Sequence, residues 1–557
     1  MKSTSFCNVI VTIALTLASS VGLAQVSSPN GMVASDHPLA SQVGAKVLED
    51  GGNAVDAGVA TMLTLGLLNP FASGLGGGGF CVVRQATGES AVLDFREVAP
   101  AAATPDMYVV DGTVDRKLSL EGGLAVGVPG EAQGLHQLHE KYGKLGWAKV
   151  VNPAMKLARD GFEVGELLPQ RLAQKAESLE RHPELLKLYS SNGKPVKAGQ
   201  RHKNPALAKF LLAYSKDGPA AFYLGKNASS VVAAVKANGG FLTLEDLANY
   251  KATWRVPLKG TYRGLDILTM PPPSSGGTTL LETLNILEGY RLNGFGDGVE
   301  SDTVLIEALK HAFADRAAWL GDADFVDVPV QKLISKSYAD ELRLRIRPWT
   351  VGSVESYGTS AQLPTDSGTS HVSIIDRAGN MLACTSTVNT SFGSMVAVSD
   401  LGIVLNNQMD DFSAQPGVPN AYGLVGNAQN AIAAGKRPLS SMSPTLILKS
   451  GEPFMAVGAS GGPTIISGTL QTILRIVDFG MSPLQAVSEP RLHAQWLPDL
   501  VFMEAVTDTE AAILAKRGHK LKISPGFTAV QVVVKRDGVY QGASDPRKKG
   551  LPAAPTH

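Results

Sequence analysis

The stretch Asp366-Ser367-Gly368-Thr369-Ser370-His371-Val372-Ser373-Ile374-Ile375-Asp376 is a polar loop that runs directly into an alternating strand. Alternation puts Thr369 and His371 on one face and Ser370, Val372 and Ile374 on the other. Threonine and serine commonly begin strands, so by itself the stretch reads as an ordinary strand entry. A second reading turns on chemistry. A threonine hydroxyl is a poor nucleophile until a base takes its proton, and no Asp-His pair sits beside Thr369. An N-terminal residue carries its own base, an α-amine with a pKa of about 7.7–8.0, nearer working pH than a lysine at about 10.4. Thr369 gains that amine only if the chain is cut between Gly368 and Thr369. Glycine suits the cut, because it permits the strained backbone that exposes its carbonyl to the neighbouring hydroxyl.

Outward from this stretch the chain changes texture. After about Leu363 strand-like segments dominate, at 371–376, 381–387, 401–405, 444–449, 453–458, 500–504 and 527–535. A helix is predicted from Pro463 to Phe479, and Asp537-Gly538 is a hairpin turn. Upstream, His37-Pro38 opens a helix that Gly51-Gly52 ends, and Asn53 caps a second helix through Leu68. The hairpin of Phe80–Arg84 and Ala91–Phe95 is expected to complete a sheet built by the later strands. Residues 120–350 read as mainly helical, interrupted by strand at 256–270 and by the rigid loop Pro271-Pro272-Pro273-Ser274-Ser275-Gly276-Gly277. A helix-rich first part and a strand-rich second part predict an α+β class.

The 557 residues allow one large domain or two ordinary ones. Lys+Arg and Asp+Glu are both 50, which offers no bulk attraction to nucleic acid or to an anionic membrane. Lys2, the apolar run Val9–Ala18 and the small residues of Gly22-Leu23-Ala24 read as a signal peptide over 1–24, cleaved before Gln25. The mature protein is therefore expected to be exported, periplasmic or extracellular, and free of the membrane once the signal is removed. Cys7 lies in that segment. Cys81 and Cys384 fall in two separate predicted strands; two thiols make no disulfide framework, and of pairing or lying as small buried hydrophobes the second is expected. The histidines are scattered without ligand spacing, so no metal or cofactor is expected.

Two glycine-rich motifs compete for attention. Gly74-Leu75-Gly76-Gly77-Gly78-Gly79 matches G-x-G-x-x-G, but a helix precedes it and a strand follows, the reverse of the dinucleotide arrangement. It reads as a tight turn. Gly458-Ala459-Ser460-Gly461-Gly462 matches G-x-S-x-G between a strand and a helix. With Asp478 and His493 downstream it gives the order of an α/β-hydrolase esterase, although the alternating βα units of that fold are missing. The same glycines, opening a helix, offer two adjacent backbone N–H groups to a developing oxyanion.

Longer motifs reverse the plain reading of Thr369. Gly31-Met32-Val33-Ala34, His37-Pro38-Leu39-Ala40 and Gly51-Gly52-Asn53-Ala54-Val55-Asp56-Ala57 stand in order with Leu93-Asp94-Phe95-Arg96-Glu97 and the proline loop. Leu405-Asn406-Asn407-Gln408-Met409-Asp410-Asp411-Phe412 and Arg437-Pro438-Leu439-Ser440-Ser441-Met442-Ser443-Pro444 follow. From Gln25 to nearly the C-terminus the chain resembles the γ-glutamyltranspeptidase (glutathione hydrolase) family. The resemblance implies the N-terminal nucleophile hydrolase fold, αββα layers with two stacked, mainly antiparallel sheets. It implies self-cleavage of one precursor into a large subunit, 25–368, and a small subunit, 369–557, that form one globular unit. It implies attack of Thr369 on the γ-glutamyl amide of glutathione or related compounds, with water or an amino acid or peptide amine as acceptor.

Residue by residue, Arg96 matches the position that holds the substrate carboxylate, with Ser440 and Ser441 adding hydroxyls. Asn389, Gln408 and Asp411 match the set that holds its ammonium. Gly461 and Gly462 match the oxyanion hole, Thr387 a threonine that orients the nucleophile, and Tyr422 an aromatic lid. Ser370 departs from the commoner second threonine, and Ala459-Ser460 from the Ser-Pro of some relatives. A cephalosporin or glutaryl acylase of the same fold is the alternative. Asp411 argues against it, because those acyl groups lack the ammonium.

Overall fold

A computed structural model of the chain describes residues 25–294, 298–347, 349–352, 357, 368–415 and 417–557. The expected signal peptide lies outside them. Strands β1 (Val26–Ser28) and β2 (Gly31–Ser35) precede helices α1 (Pro38–Glu49) and α2 (Ala54–Leu68). The hairpin β3 (Gly78–Arg84) and β4 (Ser90–Phe95) comes next, then α3 (Glu131–Tyr142). After further helices come β5 (Thr253–Arg255), β6 (Leu258–Tyr262) and β7 (Leu265–Thr269), then α4 (Gly276–Glu288) and α5 (Val299–Trp319). The remainder supplies β8 (Gly368–Asp376), β9 (Met381–Asn389), β10 (Thr445–Lys449), β11 (Glu452–Ser460), α6 (Thr464–Val477), β12 (Ala529–Arg536) and β13 (Val539–Ser544).

Two antiparallel sheets stack face to face. One has six strands in the order β5-β4-β3-β9-β8-β2, the other seven in the order β1-β13-β12-β11-β10-β7-β6. Each sheet mixes strands from before and after Gly368, so neither half of the chain owns a sheet. The early hairpin does complete a sheet of later strands, with β3 paired to β9. Helix α2 packs on the outer face of the six-stranded sheet, and α4 and α6 cover the other. The result is an α+β fold in four αββα layers.

The local reasons are in the sequence. Asn53 accepts from the backbone N–H groups of Val55 and Asp56, and the Asp56 carboxylate accepts from Asn53 N–H, a complete capping box. Fourteen of the fifteen residues of α2 are buried, the signature of a helix enclosed on every side. Along β8, Val372 and Ile374 face the helical layer, while His371, Ser373 and Ile375 face the second sheet, as alternation predicts.

One expectation is overturned. Cys81 and Cys384 are joined in a disulfide, not lodged as separate thiols. Their strands are neighbours in register, with Cys384 directly opposite Cys81. Two predicted strands gave no sign of being adjacent because their pairing is non-local.

His371 is enclosed between the sheets, its Nδ1 2.7 Å from Thr385 Oγ1 and its Nε2 3.0 Å from Ser373 Oγ. Burial holds its imidazole down at about 3. An unfolded histidine takes up its proton near pH 6.5; this one resists until far lower. Its stabilising contribution is therefore complete above pH 6.5 and is lost as pH falls toward 3. The stability advantage of the wild type over a His371→Gln variant, read from denaturant midpoints, should shrink between pH 6.5 and 4 by up to about 1.4 kcal/mol per pH unit.

Candidate active site

The pairing of β8 with β9 sets Thr369 opposite Thr387 and Gly368 opposite Asn389, with an irregularity in register between Gly368 and Thr369. Such a bulge re-aims the backbone at one point of an otherwise regular ladder. Here it brings two hydroxyls to one carbonyl. Thr369 Oγ1 lies 2.8 Å from Gly368 O, and the Thr387 hydroxyl makes a short hydrogen bond to the same oxygen. The two Oγ1 atoms are 3.2 Å apart. Asn389 N–H donates to Thr387 Oγ1 at 2.8 Å, which occupies one of its lone pairs and leaves its proton for Gly368 O. Asn389 itself sits at φ 80°.

Glycine at 368 is required for space rather than for a left-handed backbone. A Cβ there would stand 2.7 Å from Phe71 O and 2.8 Å from Thr390 O. The φ of Gly368 lies outside the positive range that favours glycine. On the far side of the bond, the Lys548 ammonium donates to Thr369 O and lies 3.4 Å from the buried Asp36 carboxylate, which also accepts from His371 N–H at 3.0 Å. Ser370 points away from all of this, buried and with no hydrogen-bond partner on its hydroxyl.

A pocket of roughly 310 Å³ opens beside these hydroxyls. Thr369, Thr387, Asn389, Tyr422 and Gly462 line one part of it, and Arg96, Gln408, Asp411, Ser440 and Ser441 another. Every predicted site residue therefore converges here except Gly461, which stands one residue behind its wall, and Gly368, whose carbonyl carries the hydroxyls. A larger cavity of about 400 Å³ behind the glycine turn is lined by Leu63, Pro70, Glu131, Tyr189 and Val404 and reaches none of them.

The pocket is bipolar. Arg96 Nη2 meets Asp411 Oδ2 at 2.5 Å. Arg96 Nε donates to Pro438 O at 3.2 Å, Gln408 Nε2 donates to Asp411 at 2.7 Å, and Asn420 Nδ2 donates to Asp411 at 3.2 Å. Glu97, adjacent to Arg96, does not compete for it. Burial pushes its carboxyl up to about 8, and it stays 3.9 Å away. Tyr422 donates its hydroxyl to Asn389 O at 2.7 Å, and its ring covers Gly462 so closely that any side chain there would collide with it. Gly461 and Gly462, at φ 140° and 61°, make the turn from β11 into α6.

Three contributors escaped the sequence reading. Arg316, on α5, is buried, donates to Ser275 Oγ at 2.9 Å and reaches Ser441 Oγ at 3.5 Å. Burial lowers its guanidinium to about 10, which leaves it charged at neutral pH. Asn420 steadies Asp411, and Lys548 steadies Thr369. Arg316 and Lys548 carried no local signal, because each acts on a partner far away in sequence, and Asn420 reaches Asp411 across an irregular loop.

The competing serine site is not assembled. Ser460 Oγ donates to Ala529 O at 3.4 Å, His493 is engaged by Ser467 and Gln495 at 2.9 Å each, and Asp478 accepts from Tyr262 and Arg263.

With this geometry in hand, comparison with known proteins places the chain. Residues 40–554 match the family model described as gamma-glutamyltranspeptidase. The chain belongs to the γ-glutamyltranspeptidase family. It is 43% identical over 528 residues to the glutathione hydrolase proenzyme of Escherichia coli K12, covering 94% of this chain and 91% of that protein. It is 38% identical over 568 residues to the glutathione hydrolase proenzyme of Pseudomonas sp. A14, covering 98% and 99%. Among solved structures, cephalosporin acylase from Bacillus halodurans superposes with a TM-score of 0.85 at 28% identity, covering 98% of this chain and 99% of that one. Helicobacter pylori γ-glutamyltranspeptidase superposes with a TM-score of 0.56 at 42% identity, over 57% of this chain and 92% of that one.

As a member of this family the enzyme should not need Ser460. A Ser460→Ala variant should keep its turnover of a γ-glutamyl anilide, whereas loss of a true serine nucleophile costs about 10⁶-fold in rate.

Proposed function

We propose that the chain is a self-processing γ-glutamyl hydrolase and transferase whose nucleophile is Thr369. The observation that carries this reading is the meeting of the Thr369 and Thr387 hydroxyls on the Gly368 carbonyl oxygen. A hydroxyl bonded to that oxygen withdraws electron density from the carbonyl carbon, and the neighbouring Thr369 oxygen is the atom placed to add to it. Collapse breaks the Gly368–Thr369 amide, frees the Thr369 amine and leaves Gly368 esterified to Thr369 Oγ1. Water then releases Gly368 as a carboxylate. The products are a large subunit ending at Gly368 and a small one beginning at Thr369.

The freed amine is the base for the second reaction. It takes the Thr369 hydroxyl proton as the oxygen attacks the γ-glutamyl amide, and passes it to the leaving amine. The backbone N–H groups of Gly461 and Gly462 stabilise the tetrahedral oxyanion. Arg96 and Asp411, paired with each other across the pocket, are the two poles that a free amino-acid head would separate. Its carboxylate takes Arg96 with Ser440 and Ser441, and its ammonium takes Asp411 with Gln408 and Asn389. Tyr422 closes over the acyl chain. The γ-glutamyl group is then transferred from Thr369 to water or to an acceptor amine. Glutathione is the substrate proposed, supported by the named activity of the relatives.

The acylase alternative draws on the Bacillus halodurans structure. A glutaryl-type acyl group lacks the ammonium, so it would bring Asp411 no cation of its own and leave it only Arg96. The bipolar pocket supports the γ-glutamyl head. Export through a cleaved N-terminal segment, 1–24, is also proposed. Among the described residues no helix is long and apolar enough to cross a membrane.

Peptide mapping after reaction with a γ-glutamyl electrophile tests the assignment: the label should sit on Thr369, and a label on Ser460 or Ser370 would overturn it. Thr387→Val, which keeps the shape and removes the hydroxyl, should slow self-cleavage by about 10²–10³-fold, as loss of one oxyanion donor does. Asp411→Asn should lower kcat/KM for γ-glutamyl substrates by about 10²–10³-fold, equivalent to ~3–4 kcal/mol for an unpaired buried charge. Steady-state kinetics on the processed variant would check this.

A further inference from the structure

The disulfide between Cys81 and Cys384 has a consequence that depends on where the chain is cut. Cys81 lies on β3, before Gly368, and Cys384 lies on β9, after Thr369. They are 303 residues apart in sequence and directly opposite in the sheet, with Cα atoms 4.1 Å apart, near the spacing of the closer kind of antiparallel pair. Both side chains are fully buried on the face that α2 covers. Two residues along β9, Leu382 packs so tightly against α2 that a Cβ on Gly58 would lie 2.0 Å from its Cδ2.

We propose that Cys81–Cys384 is an intersubunit disulfide that keeps the two products of self-cleavage covalently joined. The proposal rests on the cleavage reading above. Once the Gly368–Thr369 bond is broken, this is the one remaining covalent link between residues 25–368 and 369–557, since the third cysteine, Cys7, lies in the expected signal segment. Formation is a thiol–disulfide exchange. The two thiols give up two electrons and two protons to a disulfide-bearing oxidant of the compartment outside the cytoplasm, which is released as two thiols. Because α2 covers both sulfurs in the finished fold, the exchange belongs to folding, before that layer closes. Afterwards the same cover keeps solvent reductants away.

The link changes the physics of the processed enzyme. Two separate subunits reassociate by a bimolecular step, so dilution works against them. Two linked subunits find each other at an effective concentration set by the tether, and dilution has no effect. The six-stranded sheet makes this matter, since β3 and β9, one from each side of the cut, are neighbours at its centre.

The test uses the full-length protein, exported through its own N-terminal segment, denatured with free thiols blocked, and run on a gel with and without reductant. Without reductant it should migrate as one species of the summed mass, and with reductant as two. Cys81→Ala/Cys384→Ala should give two species in both lanes, and its recovery of activity after unfolding should fall on dilution while that of the wild type does not. Two wild-type species without reductant, both cysteines carrying the blocking group, would overturn the proposal. A single band in both lanes would instead sink the cleavage reading. In that case the unreduced peptide map still decides whether Cys81 and Cys384 are joined. The map also serves if the double variant fails to fold.

Discussion

A single cross-strand pair, Thr369 against Thr387 at a bulge, is the constraint on which the rest of the site depends. The ladder between β8 and β9 holds both threonines on the face that meets the second sheet, and the irregularity at Gly368 turns that residue's carbonyl toward them. Everything else adjusts this arrangement. Asn389 N–H directs the Thr387 proton, Lys548 and Asp36 hold the strand on its other side, and Phe71 and Thr390 leave room for nothing larger than glycine. A one-residue slip in this register would exchange Thr369 for Ser370 and send Thr369 under the helical layer.

The second organising element is charge. Arg96 and Asp411 form a pair with little solvent access, an arrangement that rarely stabilises a fold enough to justify its desolvation. In the function proposed, its value lies in recognition. The pair is a preformed dipole of the kind the proposed zwitterionic head would separate, and the uncharged partners around it, Gln408, Asn420 and the Pro438 carbonyl, hold it in place without neutralising it. The neighbouring Glu97, pushed up to about 8 by burial, leaves the Arg96 charge undivided at neutral pH.

Much of this was legible in the sequence, and the parts that were not share one cause. The cap at Asn53, the enclosed helix α2, the alternation of β8 and the hairpin of β3 with β4 are local patterns, and each element stands where its pattern put it. The pocket residues were legible because long motifs arrive in a fixed order. What local patterns cannot carry is which distant segments become neighbours. The pairing of β3 with β9 hid the Cys81–Cys384 bond. Arg316 and Lys548 belong to none of the motifs that mark the pocket. The short strands β1 and β2 gain their place from partners on the far side of the chain, β13 and β8. The crowding from Phe71 and Thr390 that leaves room only for glycine at 368 is likewise a tertiary fact.

Catalysis as proposed needs a broken backbone to supply its base. Intact mass measurement of the purified, active, fully reduced protein tests it most directly. Two masses are expected, the smaller beginning at Thr369, whose sum exceeds that of the uncut mature chain by one water. Full activity residing in a single unbroken mass would contradict it, because Thr369 would then have no amine to take its proton.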